Sequence, residues 1–229
     1  MSRVITIQRD VLEPARSQAD AFRQAMARRG TLVVNMLSSP GAGKTSLLAA
    51  MATYWQSRRR MAVLVGDIAT DRDAQRLAPL APTVQLTTGG ACHLEWSLVE
   101  RGFQALPPDK LDFLLIENVG NLVCPSSHDL GEHLRVVLLS TTEGDDKPAK
   151  YPKAFRTSHA LVVSKIDLLP YVPFCVEAAA QDARAIQPLL SVWPVSALHG
   201  SGIREWCEYL DDERTRMLQS NDTLGSSNR

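Results

Sequence analysis

Short, nearly continuous apolar runs recur along the chain at residues 32–34, 61–65, 84–86, 111–116, 136–140, 160–163 and 192–198. Each is long enough for a buried strand and too short for a helix, and a weaker alternating run lies at 4–7. Helix signals fall between them. Pro14 opens a segment rich in Ala, Gln and Arg, Phe22 and Met26 stand four apart on one face, and Gly30 is a stop. Arg58, Arg59 and Arg60 close a second helix, where cations suit the negative end of its dipole. After Gly200 and Gly202, the residues Ile203, Trp206, Tyr209 and Leu210 share one apolar face. Strands and helices alternate throughout, which predicts an α/β fold with a mainly parallel sheet covered on both faces. The expected division is an N-terminal strand and helix packed outside the domain at 1–30, one domain at 31–215, and a polar, disordered tail at 216–229.

Composition narrows the function classes. With 229 residues and 45% apolar content the chain can bury a substantial core. Lys plus Arg and Asp plus Glu both total 25, so no bulk positive field is available for nucleic acid or a membrane surface. No apolar run approaches the ~18 residues of a membrane span, and the N-terminus carries no signal-peptide core. A cytoplasmic protein is the expectation. The widely spaced Cys92, Cys124, Cys175 and Cys207 favour reduced thiols or metal ligands over disulfides. Cys175 and Cys207 have no ligand-type neighbour in sequence and are expected to be packed.

The chemistry gathers where strands end. Ser38-Ser39-Pro40-Gly41-Ala42-Gly43-Lys44-Thr45-Ser46 follows the run at 32–34 and leads into a helix. This is the spacing of a phosphate loop, although Ser38 stands where the motif has its first glycine. Backbone N–H groups turned inward by glycine, with the positive end of the following helix, form an anion cradle. Lys44 is placed to reach the β- and γ-phosphates, and the Thr45 hydroxyl to hold Mg²⁺. Asp67, at the end of the next strand, is a further candidate for the Mg²⁺ shell; Asp71 and Asp73 fit a cap or surface reading equally. Glu117-Asn118-Val119-Gly120 has the spacing of the third GTPase motif, with Glu117 beside Mg²⁺ or the attacking water and the Gly120 amide on the γ-phosphate. The charged stretch 143–153 is taken as a solvated connection.

Ser164-Lys165-Ile166-Asp167 matches a base-reading motif in all but its first residue. The Asp167 carboxylate can accept two hydrogen bonds from guanine, the Lys165 stem can cover the ring, and Ser164 in place of Asn weakens the bracing of the loop. Ser196-Ala197 is spaced for a last backbone contact to the base. Adjacent Cys92 and His93, after Gly89-Gly90, place two soft or borderline ligands at a loop-to-helix junction. Cys124 follows only four residues after Gly120, so a loop that senses the terminal phosphate also carries a thiol.

Joined together, the phosphate loop, Gly89-Gly90-Ala91-Cys92-His93-Leu94, Glu117-Asn118-Val119-Gly120-Asn121-Leu122-Val123-Cys124-Pro125 and Lys165-Ile166-Asp167 resemble the HypB family of hydrogenase nickel-incorporation GTPases. The resemblance runs from about residue 4 to 210, and Ser at position 38 is usual in that family. It implies a P-loop NTPase that binds GTP or GDP with Mg²⁺, forms a homodimer with GTP, and delivers nickel during maturation of [NiFe] hydrogenase, with an accessory maturation protein and the hydrogenase large subunit as partners. It further implies that Cys92, His93 and Cys124 bind Ni²⁺ or Zn²⁺ at the dimer interface, and that Lys150 reaches the nucleotide of the opposite subunit. The Cys-x-x-Cys-Gly-Cys motif and His-rich stretch of some members do not occur in this sequence, so nickel handling is expected to rest on the domain site. Asn121 replaces any glutamine after Gly120, which predicts slow intrinsic turnover.

Three alternatives differ in what they require. The urease-maturation type carries Cys-Pro-His where Cys92 and His93 are adjacent. An ATPase of the minD type has an extra early lysine where Ser38 and Ser39 stand, and Asp167 favours guanine. A non-enzymatic metal-binding regulator would retain the fold without GTP turnover.

Overall fold

The computed structural model describes residues 13–67 and 72–226. The strand expected at 4–7 and Asp71 lie outside them. In chain order the elements are α1 (Glu13–Arg29), β1 (Leu32–Ser38), α2 (Lys44–Trp55), β2 (Met61–Asp67), α3 (Arg72–Leu77), β3 (Thr83–Thr87), α4 (Trp96–Ala105), β4 (Phe113–Glu117), β5 (Leu134–Ser140), α5 (Lys147–Lys150), α6 (Pro152–Arg156), β6 (Ala160–Ser164), α7 (Val176–Ile186), β7 (Ser191–Pro194) and α8 (Ile203–Ser226), with 3-10 turns at Pro125–Ser127 and Ile166–Tyr171. The seven strands form one sheet in the order β3-β2-β4-β1-β5-β6-β7, and every pairing is parallel.

The sheet can be covered on both sides because its five central strands are buried along nearly their whole length, leaving only the edge strands β3 and β7 partly open. Along β1, Val33 packs against α1 and α4 while Leu32, Val34 and Met36 pack on the opposite side against α2 and α8. There Trp55 stacks on Phe113 at 4.2 Å, with Trp206 buried nearby. Each such side chain contributes roughly 1.5–3 kcal/mol on burial. Phe22 of α1 meets Trp96 of α4 at 4.7 Å, and Gly30 ends α1 with φ +72°. Among the described residues no helix is long and apolar enough to cross a membrane.

Two expectations about the chain's organisation change. Helix α8 continues unbroken past 216 to Ser226 instead of ending in a disordered tail. Its outer turns are tied down by Arg214, which donates to the Gly30 carbonyl at 2.8 Å and pairs with Asp112 at 2.8 Å, and by Met217, packed against the core. The charged connection at 143–153 contains α5 and enters α6 at Pro152, and just beyond it Ala154 and Phe155 of α6 are fully buried. β7 stops at Pro194, where the chain turns toward Gly202; a Cβ on that glycine would lie 2.2 Å from the Pro194 carbonyl oxygen.

Candidate functional site

The carboxyl ends of β1, β2, β4 and β6 converge on two adjoining cavities, the usual place for a ligand in an open parallel sheet. The first, about 420 Å³, is lined by Pro40, Gly41, Ala42, Gly43, Lys44, Thr45 and Ser46, with Asp67, Glu117, Gly120 and Lys165 opposite. The second, 860 Å³, shares Gly43, Ser46 and Lys165 with it and continues past Asp167, Ala197 and Leu198. Gly41 and Gly43 adopt φ +74° and +94°, the left-handed turns that aim backbone N–H groups inward. Gly120 is packed so closely that a Cβ there would stand 3.0 Å from Pro40 Cα. The third motif thus lies directly against the phosphate loop.

Ser38, the departure from the glycine motif, has a structural role. Its buried hydroxyl accepts the Lys44 ammonium at 2.7 Å and donates to the Ser39 carbonyl at 2.7 Å. Burial pulls the Lys44 pKa below the usual lysine range, and the nearby Glu117 opposes that shift. Glu117 Oε1 accepts the Thr45 hydroxyl at 2.9 Å, whereas its buried Oε2 has no hydrogen-bond partner. Burial raises the Glu117 pKa to about 7, against the pull of Lys44 and the Thr45 hydrogen bond. A carboxylate oxygen buried without a partner is costly unless something positive meets it. Oxygen donors from Thr45, Glu117 and Asp67 on one cavity suit a hard cation such as Mg²⁺.

The base-reading segment is braced differently from the sequence expectation. Ser164, in place of Asn, donates its hydroxyl to the Ala42 carbonyl at 2.6 Å, so the shorter side chain still clamps the phosphate loop. Lys165 sits at φ +59° and donates to the Gly41 carbonyl at 2.7 Å. Asp167 accepts the Ser196 hydroxyl at 2.5 Å, which orients its carboxylate beside Ala197. Lys150 lines neither cavity: it is exposed and paired with Asp146. Lys147 reaches the phosphate loop instead, donating to Ser39 Oγ at 3.3 Å. Arg76 lines both cavities and Asp73 the smaller. In the sequence Asp73 fits a cap or surface role equally, whereas Arg76 carries no motif or periodic signal, since it arrives on the short helix α3.

Cys92, His93 and Cys124 occupy a separate, more open corner. Cys92 is exposed and Cys124 half-buried. The two thiols interact, and a hydrogen bond from Cys124 is the main cause that raises the Cys92 pKa. Cys92 Sγ lies 3.8 Å from His93 Nδ1, while the His93 ring stacks on His128 at 3.8 Å. Burial, then the His128 charge, lower the His93 pKa. As the side chains stand, no three His, Cys, Asp or Glu groups among the described residues surround an ion-sized position. The donor types nevertheless fit Ni²⁺ or Zn²⁺, which take sulfur and imidazole. Of the remaining thiols, Cys207 is buried as expected and burial raises its pKa. Cys175 is a correction: at the start of α7 it is exposed, 3.4 Å from Glu177 Oε2.

The two corners are joined through Asn121. Its backbone bridges to Ser38, its Nδ2 donates to the Cys92 carbonyl at 3.3 Å, and its Oδ1 accepts the Val123 amide at 2.8 Å.

Known proteins place this arrangement. A family model for the CobW/HypB/UreG nucleotide-binding domain matches residues 32–194. Hydrogenase maturation factor HypB of Azotobacter chroococcum is 41% identical over 96% of this chain and 72% of its own length. HypB from Helicobacter pylori, solved in complex with nickel, superposes with a TM-score of 0.84 at 36% identity, over 89% of this chain and 96% of that one. HypB from Archaeoglobus fulgidus gives a TM-score of 0.81 at 32% identity, over 89% and 100%. With its seven-stranded parallel sheet, its phosphate loop and these likenesses, the chain belongs to the HypB family of P-loop nucleotide-binding proteins.

Proposed function

We propose that this protein is a GTP-hydrolysing nickel metallochaperone that delivers the metal during maturation of [NiFe] hydrogenase. The observation that carries the reading is the junction at Asn121, which ties the phosphate loop at Ser38 to the backbone of Cys92. Nickel is the cargo, and Cys92, His93 and Cys124 are its assigned donors.

In the nucleotide site the loop amides from Pro40 to Ser46 hold the phosphates, with Ser39 and Lys44 at the mouth of the loop. Lys44 leaves Ser38 Oγ for a phosphate oxygen, which gives a buried ammonium a full negative partner. Thr45, Glu117 and Asp67 would hold Mg²⁺, which would supply charge neutralisation on the phosphates. Its charge would also hold Glu117 ionised. The Gly120 amide meets the γ-phosphate, and Asp167 with Lys165, Ser196 and Ala197 selects guanine. Both ends of the Asn121 side chain are engaged, so no side chain just after Gly120 is free to orient the attacking water. Turnover is therefore slow, as suits a timer.

Three donors leave a transition-metal shell incomplete. Association of two protomers with GTP would bring the metal corners together, with Lys150 reaching across to the partner's nucleotide. If GTP and metal favour the same dimer, each tightens the other by the same factor. The reading places the protein in the cytoplasm, working with an accessory maturation protein and the hydrogenase large subunit.

The test is nickel and zinc titration with sedimentation, in GDP and in a non-hydrolysable GTP analogue. The analogue should promote dimerisation and change metal affinity. Identical affinity and association in the two nucleotides would refute the coupling, and an absence of GTP turnover would leave only a metal-binding regulator.

A further inference from the structure

The metal corner contains a side chain that no motif assigns. His128 follows the 3-10 turn Pro125–Ser127 that begins just after Cys124, and its ring lies 3.8 Å from that of His93, 16° from parallel. Its Nδ1 is 3.0 Å from the Cys124 carbonyl oxygen. A carbonyl accepts only, so Nδ1 carries the proton and Nε2 keeps its lone pair, the tautomer a metal ligand needs. The backbone of this turn is also fixed. Arg135, buried and paired with Glu132, donates to the His128 carbonyl at 2.7 Å and to the Ser126 carbonyl at 3.1 Å.

Four candidate donors lie along one connected stretch of structure. Cys92 Sγ stands 3.8 Å from His93 Nδ1, the His93 ring stacks on His128, and His128 bonds back to the backbone carbonyl of Cys124, whose thiol is the fourth. The stack holds the two imidazoles side by side with their in-plane lone pairs in nearly parallel planes, so one ring must turn out of the stack for a nitrogen of each to meet one ion. Cys124 and His128 are already set on one anchored turn, so side-chain rotation is the movement required.

We propose that His128 is a fourth metal donor, so that one protomer can hold the transition-metal cargo with Cys92, His93, Cys124 and His128 before any partner contributes. This rests on the metal-binding reading above and sharpens it: the partner is then needed for release or transfer, not for first capture.

X-ray absorption on the zinc-loaded, GDP-bound monomer tests this without any substitution. Two sulfur and two nitrogen donors per ion, at one ion per chain, are expected; a single nitrogen overturns the proposal. His128→Phe keeps an aromatic ring against His93 and removes the nitrogen, so it separates ligation from stacking. It should lose one nitrogen from the shell and weaken zinc at least as much as the roughly tenfold that removing a partner behind a ligand costs. Circular dichroism checks that the variant is folded. Unchanged affinity in His128→Phe, with binding lost in Cys92→Ala, overturns the role of His128 and leaves the metal corner standing. Unchanged affinity in both variants removes the metal corner and the proposal with it.

Discussion

The nucleotide pocket and the metal corner lie side by side and are built on opposite principles. In the pocket, Lys44, Thr45 and Glu117 are buried, with Lys44 bonded to Ser38 and Thr45 to Glu117, on a loop clamped from two sides by Ser164 and Lys165. In the corner, the thiols are exposed or half-buried, and as the side chains stand no three candidate donors among the described residues are placed to hold an ion. A pocket that must stabilise charge in a reaction gains from preorganisation. A corner that must give its cargo away is better served by ligands that close around the ion and open again. On the proposed reading, one chain is preorganised toward its nucleotide and open toward its metal.

The comparison can be broken from either side. The largest effect is expected from Lys44→Ala, which should cut GTP turnover by roughly 10²- to 10³-fold, the range for loss of one preorganised charge donor. Zinc titration of the same variant in the monomer should be unchanged if the corner is independently built. Next, Cys124→Ala should abolish zinc and nickel binding by calorimetry while GDP affinity stays within about twofold, because the pocket contains no sulfur.

Two buried groups give stability opposite slopes against pH: Glu117 in the pocket, and His133 where α1 meets β1, outside the metal corner. Glu117 has its folded pKa raised from 4.5 to about 7, so the fold favours its protonated form. In protein free of metal and nucleotide this gives stability that is present below pH 4.5 and is lost as pH rises toward 7, of the order of 3 kcal/mol. His133 does the reverse. Its pKa is lowered from 6.5 to about 4 by burial, with Nδ1 accepting the Val33 amide at 2.9 Å and Nε2 bonded to the Arg23 carbonyl at 3.0 Å. Its contribution is present above pH 6.5 and is lost as pH falls toward 4. The slopes oppose each other in one window. Glu117→Gln should therefore unmask the histidine: denaturant melts should show stability rising from pH 4.5 to 7 more steeply than in the native protein. The smallest effect belongs to Ser164→Ala, which removes one buried hydrogen bond and should cost about 1 kcal/mol in a thermal melt, with a modest loss of GTP affinity.

The sheet was legible because fully buried parallel strands need no alternation, and runs such as 61–65 and 136–140 have none. The phosphate loop and Asp167 were legible because their chemistry depends on fixed local spacing. Contacts between distant segments were not. Ser164 can replace Asn only because Ala42 lies within reach of a hydroxyl, 122 residues away in sequence. Arg76 enters the pocket on a six-residue helix too short to show periodicity. The tail of α8 is polar in composition and helical because Arg214 and Met217 anchor it to the domain. His128 carries no sequence signal at all beyond being a histidine four residues after Cys124.

Asn121 joins the two regions through both its main chain and its side chain. A residue whose main chain is stitched to Ser38 and whose amide grips the neighbourhood of Cys92 works as a hinge pin between two leaves. Shortening that pin would leave each leaf intact and let them swing separately, so a protein could go on burning GTP while its hold on nickel ignored the flame.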